Sequence, residues 1–217
     1  MRFDVLTIFP EIIYNYCEES ILARAQRSDL IQVIAHDFRD CTMDKQRHVD
    51  DHPYGGGPGM ILQVEPIYRC LENLGFVKDG QKVKQKNTKI LIMDPAGKKF
   101  DQKMAEKFSK LDRLVFVCGR YEGFDERIYK FADEKISVGD YMLAGGELPA
   151  LTIIEAVSRL VPGVLGNKDS LKEETNNGVQ EYPQYTRPEN FMDLKVPRVL
   201  LSGNHKKIEE WRKKYIK

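Results

Sequence analysis

RLVFVCGRYEG, from Arg113 to Gly123, is the stretch that decides the fold. Five apolar residues, Leu114 to Cys118, run without a polar interruption and end at a glycine turn. A half-buried strand would alternate, so an unbroken apolar run of this length reads as a strand covered on both faces, as in a parallel sheet with helices on either side. KILIMD, Lys89 to Asp94, repeats the pattern upstream, and Asp101 to Ser109 between them reads as a helix. Working outward, RFDVLTIF and IQVIAHDF add two strands, and Pro10 opens a helix because proline fits a first helical turn. Pro66 to Leu74 and Asp125 to Phe131 read as short helices, and KISVGDYML as a strand running into a glycine loop. PALTIIEAVSRL, Pro149 to Leu160, reads as a long helix with proline at its start. Arg39 to Gly59 and the lysine-rich FVKDGQKVKQKNTK read as surface loops. The alternation of strand and helix predicts an α/β fold with a mostly parallel sheet.

Gly163 to Gln180 is poor in apolar residues and reads as a linker. The expected organisation is therefore residues 1–162 as the main domain, 163–180 as linker, and 181–217 as a small helical C-terminal domain. Hydrophobic residues at 41% and charged residues at 31% suit a folded, water-facing chain rather than a disordered one. No apolar run approaches the roughly 18 residues of a membrane span, and Asp4 and Glu11 interrupt any signal-peptide core. Cys17, Cys41, Cys70 and Cys118 form no C-x-x-C pair, which speaks against a disulfide framework or zinc ribbon and for a cytoplasmic protein. Lys195 to Lys217 holds eight basic and two acidic residues, a net +6 that leaves −5 for the rest of the chain. Such a segment is a candidate phosphate-binding face or a solvated terminal helix.

Several nucleotide and metal motifs are missing. YGGGPGM, Tyr54 to Met60, lacks the G-K-[ST] of a P-loop, and no strand is followed by G-x-G-x-x-G. There is no H-E-x-x-H, EF-hand or G-x-S-x-G pattern, and the four histidines lack metal-ligand spacing, so no metal site is expected. What remains is three glycine loops, each directly after an apolar strand: DPAG (Asp94–Gly97), CGRYEG (Cys118–Gly123) and VGDYMLAGGELP (Val138–Pro149). Open α/β sheets bind ligands at strand C-terminal ends, and glycines let backbone groups approach a flat ligand closely. One such turn is ordinary, whereas three in consecutive units predict a site. Glu122 either faces the ligand or pairs with Arg120 or Arg127, and His48, Asp50 and Asp51 stand open as contacts to RNA or ligand.

CGRYEGFDERI, ISVGDYMLAGGELPALTIIEAVSRLVPGVLG, RHVDDHPYGGGPGM, EYPQYTRP and VLLSGNH together resemble the bacterial tRNA (guanine-N1)-methyltransferases of the knotted SPOUT superfamily, from Met1 to about Tyr215 in the same order. The resemblance implies a deep C-terminal trefoil knot whose loops hold S-adenosylmethionine. The matching positions are Met93, Asp94, Pro95 and Ala96 in the first loop. In the second they are Gly119, Tyr121, Glu122 and Gly123. In the third they are Val138, Gly139, Asp140, Tyr141, Met142, Leu143, Gly145, Gly146 and Pro149. It also implies a homodimer with each site built from both chains. The methyl acceptor would be N1 of the guanosine just 3′ of the tRNA anticodon, position 37. The implied catalytic pair is an arginine matching Arg159 and a linker carboxylate. Counting five residues back from Gly178 gives Glu173 where the family has aspartate, with Glu174 and Asp169 as alternatives. Magnesium is a possible further cofactor. Family members usually continue beyond the position of Trp211, so the basic segment is expected to grip tRNA in shortened form. Two other readings stay open: a knotted RNA-binding protein with weak or no catalysis, and a SPOUT methyltransferase acting on another RNA.

Overall fold

A computed structural model describes residues 1–166 and 182–215, and the chain divides into two units, Met1–Gly166 and Asn167–Lys217. The expected linker base, Glu173, and its alternatives Glu174 and Asp169 lie outside the described residues.

The first unit is built on five parallel strands: β1 (Arg2–Thr7), β2 (Gln32–Asp37), β7 (Thr88–Lys99), β8 (Arg113–Cys118) and β9 (Glu134–Ser137), in the order β2-β1-β8-β7-β9. Side chains alternate between faces, and the central strands β1, β8 and the first half of β7 are dry on both. Leu114, Phe116 and Cys118 of β8 join Leu91 and Met93 of β7 in one core, under α1 (Pro10–Cys17), α2 (Ser20–Arg27), α4 (Gln102–Phe108) and α5 (Glu147–Ser158). Val115 and Val117 join Ile90 and Ile92 in a second core, under α3 (Val64–Asn73) and the 3-10 turns Phe38–Cys41 and Glu126–Phe131. This double burial is why the runs Ile90–Met93 and Leu114–Cys118 are apolar at every position.

The one charge in the middle of β1 is fully satisfied. Asp4 is buried, and its carboxylate accepts hydrogen bonds from Arg2 (2.8 and 2.9 Å), Arg113 (2.6 Å) and His36 (2.7 Å). Burial alone would raise its pKa, but the hydrogen bonds from His36, Arg2 and Arg113 outweigh it and hold the carboxyl well below the ordinary range.

Four expectations change. DPAG is not a turn after β7 but a loop inside it, because Met93 and Lys98 both register with Ile136 of β9 and the residues between them bulge out. Gly97 lies so close to β9 that a Cβ there would meet the backbone N of Ile136 at 2.5 Å. The lysine-rich connector contains the hairpin β5 (Val77–Lys78) and β6 (Gln81–Lys82), turned by Asp79 and Gly80, both at positive φ. The polar stretch before Gly59 carries β3 (Asp50–Asp51), which pairs with β4 (Ile61–Leu62). Finally, α5 begins at Glu147, two residues before Pro149, whose missing N–H falls among those of the first turn that have no intrahelical partner anyway.

In the second unit, β10 (Asn190–Phe191) and β11 (Leu194–Lys195) form a hairpin, followed by α6 (Arg198–Leu201) and α7 (His205–Tyr215). Trp211 packs against Tyr185 and Tyr215, with ring centroids 6.3 and 4.7 Å apart, and the Arg212 guanidinium lies over Tyr182. The unit therefore contains the expected terminal helix and also a hairpin.

Candidate functional site

The bulge within β7 and the C-terminal ends of β8 and β9 open onto a cavity of about 290 Å³. Its floor is Met93, Gly119 and Ile136, and its walls are the loops after β8 and β9. The crossing from β9 to α5 is drawn tightly over the strand ends. Gly146 N–H donates to the Gly119 carbonyl at 2.9 Å. A Cβ on Gly146 would stand 2.7 Å from Cys118 Cα, 2.8 Å from Gly119 N and 2.9 Å from Met93 Cβ, so only glycine fits this approach.

A buried ion pair fixes the two walls to each other. Glu147, 1% exposed at the first turn of α5, accepts from Arg120 Nε at 3.0 Å and from Thr7 Oγ1 at 2.6 Å. The Arg120 guanidinium lies 4.6 Å from the Phe9 ring centroid. The loop after β8 is thereby tied to α5 and to β1. Its other side is stitched to the glycine-rich segment: Glu122 N–H donates to Met60 O at 3.0 Å, and Leu62 N–H to Gly123 O at 2.9 Å. Tyr121 between them holds a positive φ of 57°, a strained conformation of the kind found at binding sites. Burial and then Asp50 raise its phenol pKa. On the opposite wall, Tyr129 donates to Asp94 Oδ2 at 2.6 Å, and Lys135 Nζ sits 3.4 Å over the Tyr129 ring. Burial, then the Asp94 hydrogen bond, pushes the Tyr129 phenol well above its usual value and keeps it a neutral donor.

Most of the sequence-derived positions converge here. Met93, Asp94 and Pro95 line the cavity, as do Gly119, Tyr121, Glu122 and Gly123. So do Val138, Gly139, Tyr141, Met142, Leu143, Gly145, Gly146 and Pro149. Ala96 and Asp140 do not: Ala96 N–H is taken by Asp94 Oδ1, and Asp140 pairs with Lys99 on the surface. Arg120 and Arg127 pair with Glu147 and Asp125, so neither takes up the Glu122 carboxylate. Asp50 and His48 do not line the cavity, and His48 pairs with Asp44 at 2.7 Å. Arg159 caps α5 at its far end and does not line the cavity. Sequence reading passed over Arg120, Phe124, Tyr129, Ile136, Ser137 and Ala144 as lining residues. The only signal for Arg120 was its place inside the glycine loop, since its partner Glu147 is 27 positions away.

Among the described residues, no helix is long and apolar enough to cross a membrane, and no three His, Cys, Asp or Glu side chains are grouped to hold a metal ion.

A family profile described as "tRNA (Guanine-1)-methyltransferase TrmD" matches residues 1–217. Curated relatives carry the name "tRNA (guanine-N(1)-)-methyltransferase". One from Dictyoglomus turgidum is 47% identical over 99% of this chain and 84% of its own. One from Latilactobacillus sakei is 46% identical over 99% and 85%, and one from Desulfitobacterium hafniense 50% identical over 99% and 79%.

Proposed function

The chain belongs to the tRNA (guanine-1)-methyltransferase family and is an enzyme of that kind, and from this premise we propose that it methylates N1 of the guanosine immediately 3′ of the tRNA anticodon, with S-adenosylmethionine as donor, in the cytoplasm. The observation that carries the reading is the convergence of the β7 bulge and the glycine loops after β8 and β9 on one cavity.

The cavity suits that donor. At about 290 Å³ it falls near the lower end of small-molecule sites. It offers backbone groups at Gly119, Gly139 and Gly145 to a flat base, and the exposed Glu122 carboxylate to a cationic or hydroxyl-bearing group. S-adenosylmethionine, when bound, supplies an electrophilic methyl group on its sulfonium. The chain must supply the rest. Guanine N1 keeps its proton at neutral pH, so a base must remove it while negative charge moves onto O6. Glu173 is the proposed base, with Glu174 and Asp169 as the alternatives. Arg159 is the proposed cation at O6.

Arg159 follows Gly146 by thirteen residues along α5, roughly 20 Å at the rise of an α-helix. One chain therefore separates the arginine from its own cavity, which supports a homodimer with sites shared between chains. The exposed apolar side chains Phe9, Ile12 and Tyr16 of the first helix region, with Leu148 on α5, are the surface a second copy would cover. The close passage of Gly146 over the ends of β7 and β8 supports the trefoil knot. The exposed basic face of α7 supports a tRNA contact in the second unit. Magnesium is assigned no residue.

The deciding experiment is incubation of the purified protein with tRNA and S-adenosylmethionine, read by nucleotide-level mass spectrometry. One added methyl on the guanosine after the anticodon, with and without chelator, is expected. Methylation of another RNA class in preference, or binding without methylation, would overturn the reading.

A further inference from the structure

Two of the four cysteines are side by side on the face of the sheet away from α5. The 3-10 turn Phe38–Cys41 extends from β2 and packs along α3. Its last residue, Cys41, is partly exposed and borders a cavity of about 270 Å³ shared with Met43, Asp44, His48 and Arg69. Asn73 Nδ2 donates to Cys41 Sγ at 3.6 Å. Cys70 stands three residues before Asn73, hence on the same face of α3, and is 3% exposed. The amide that holds the Cys41 sulfur is thus on the Cys70 face of α3, and Cys41 packs against the buried cluster that contains Cys70. Cys17 and Cys118 belong to the core on the other face, with the sheet between.

We propose that Cys41 and Cys70 form a reversible thiol-oxidation site, in which Cys41 reacts with a small hydroperoxide and Cys70 closes a disulfide. The Cys41 thiolate attacks one peroxide oxygen, the O–O bond breaks, and hydroxide leaves, giving Cys41 sulfenic acid. The Cys70 sulfur then attacks the Cys41 sulfur, the S–O bond breaks, and water leaves with the Cys70 proton. Two thiols and one hydrogen peroxide thus become one disulfide and two waters. Accessibility fixes the order, since Cys41 is partly exposed and borders a cavity while Cys70 is buried. Burial, with Cys41 adding to it, raises the Cys70 thiol pKa far above the ordinary value, so Cys70 is not the thiol that meets the peroxide first.

The link would tie the end of β2 to α3 and close residues 41–70 into a ring. That ring contains Met60 and Leu62, which hydrogen-bond Glu122 and Gly123 of the loop after β8. The site does not depend on the methyltransferase reading.

The test is peroxide treatment of the folded, full chain, followed by alkylation in denaturant and non-reducing peptide mapping. A Cys41–Cys70 linked peptide lighter by two hydrogens, reversed by dithiothreitol, is expected, with Cys17 and Cys118 still alkylated. Cys70→Ala should leave a Cys41 sulfenic acid that dimedone traps, and Cys41→Ser should leave Cys70 reduced. Thermal melts check that both variants fold, and the wild-type map decides if either does not. The proposal is overturned if Cys41 advances to sulfinic acid while Cys70 stays free in the wild type. A link between two chains, prior oxidation of Cys17 or Cys118, or no oxidation of Cys41 would each overturn it as well.

Discussion

Replacing Gly146 with alanine isolates the close approach on which the cavity depends. The residue has φ −84° and ψ −6°, which alanine adopts freely, so any effect is steric and not conformational. The added methyl would lie 2.7 Å from Cys118 Cα and 2.9 Å from Met93 Cβ. Carbon atoms rest at about 3.5–4.0 Å, so the crossing must lift by roughly 0.8 Å or more. None of the three atoms met can rotate aside, because two are backbone atoms at the end of β8 and the third is the first side-chain atom of β7. Overpacking of this kind costs about 1–3 kcal/mol, and a unit of this size loses roughly 2–4 °C in Tm per kcal/mol. A Tm fall of roughly 2–12 °C is expected in a calorimetric scan. Lifting the crossing also breaks the Gly146–Gly119 hydrogen bond and moves the wall formed by residues 138–149. Affinity for S-adenosylmethionine by titration calorimetry should fall by about tenfold or more, the equivalent of 1.4 kcal/mol. Gly166→Ala is the control, since a Cβ there meets nothing within 4 Å. If Gly146→Ala melts and binds like the Gly166→Ala control, the close-approach argument is refuted.

Three further outcomes are expected. Arg120→Ala leaves the buried Glu147 carboxylate with Thr7 as its remaining partner and should cost about 3 kcal/mol in urea unfolding; strictly additive losses in a cycle with Glu147→Ala would show that the pair is not coupled. Asp4 has a folded-state pKa below its unfolded one, so its contribution is complete above roughly pH 4–5 and disappears as pH falls through the depressed value. Asp4→Asn should therefore be destabilised near neutrality and converge on wild type in acid, and a stability gap independent of pH would contradict this. Glu173→Gln should slow single-turnover methylation by about 10²- to 10⁴-fold, and Arg159→Ala by about 10²-fold or more, with donor binding retained; unchanged rates would remove those residues from the chemistry.

Where the sequence could be misread, the reason is local geometry. The Asp79–Gly80 turn of β5–β6 was a legible hairpin signal hidden among lysines, because Asp-Gly suits the two positive-φ positions such a turn needs. The matching turn of β10–β11 uses Met192 and Asp193 at φ 49° and 64°, and a methionine in that conformation gives no sequence signal. α2 buries Leu22, Ala23 and Ala25, so much of its inner face is small and hard to distinguish from a loop.

The apolar runs of β7 and β8 and the glycine loops beside them were determined by sequence alone, since a strand dry on both faces must be apolar throughout and glycine marks where backbone comes close. Tertiary structure alone decided which loops meet. The passage of Gly146 over Cys118, the pairing of Arg120 with Glu147 and Thr7, and the meeting of Cys41 with Cys70 join residues far apart in the chain. No local pattern encodes such pairings, because the partner of a buried charge or thiol is chosen by the order in which strands are laid side by side.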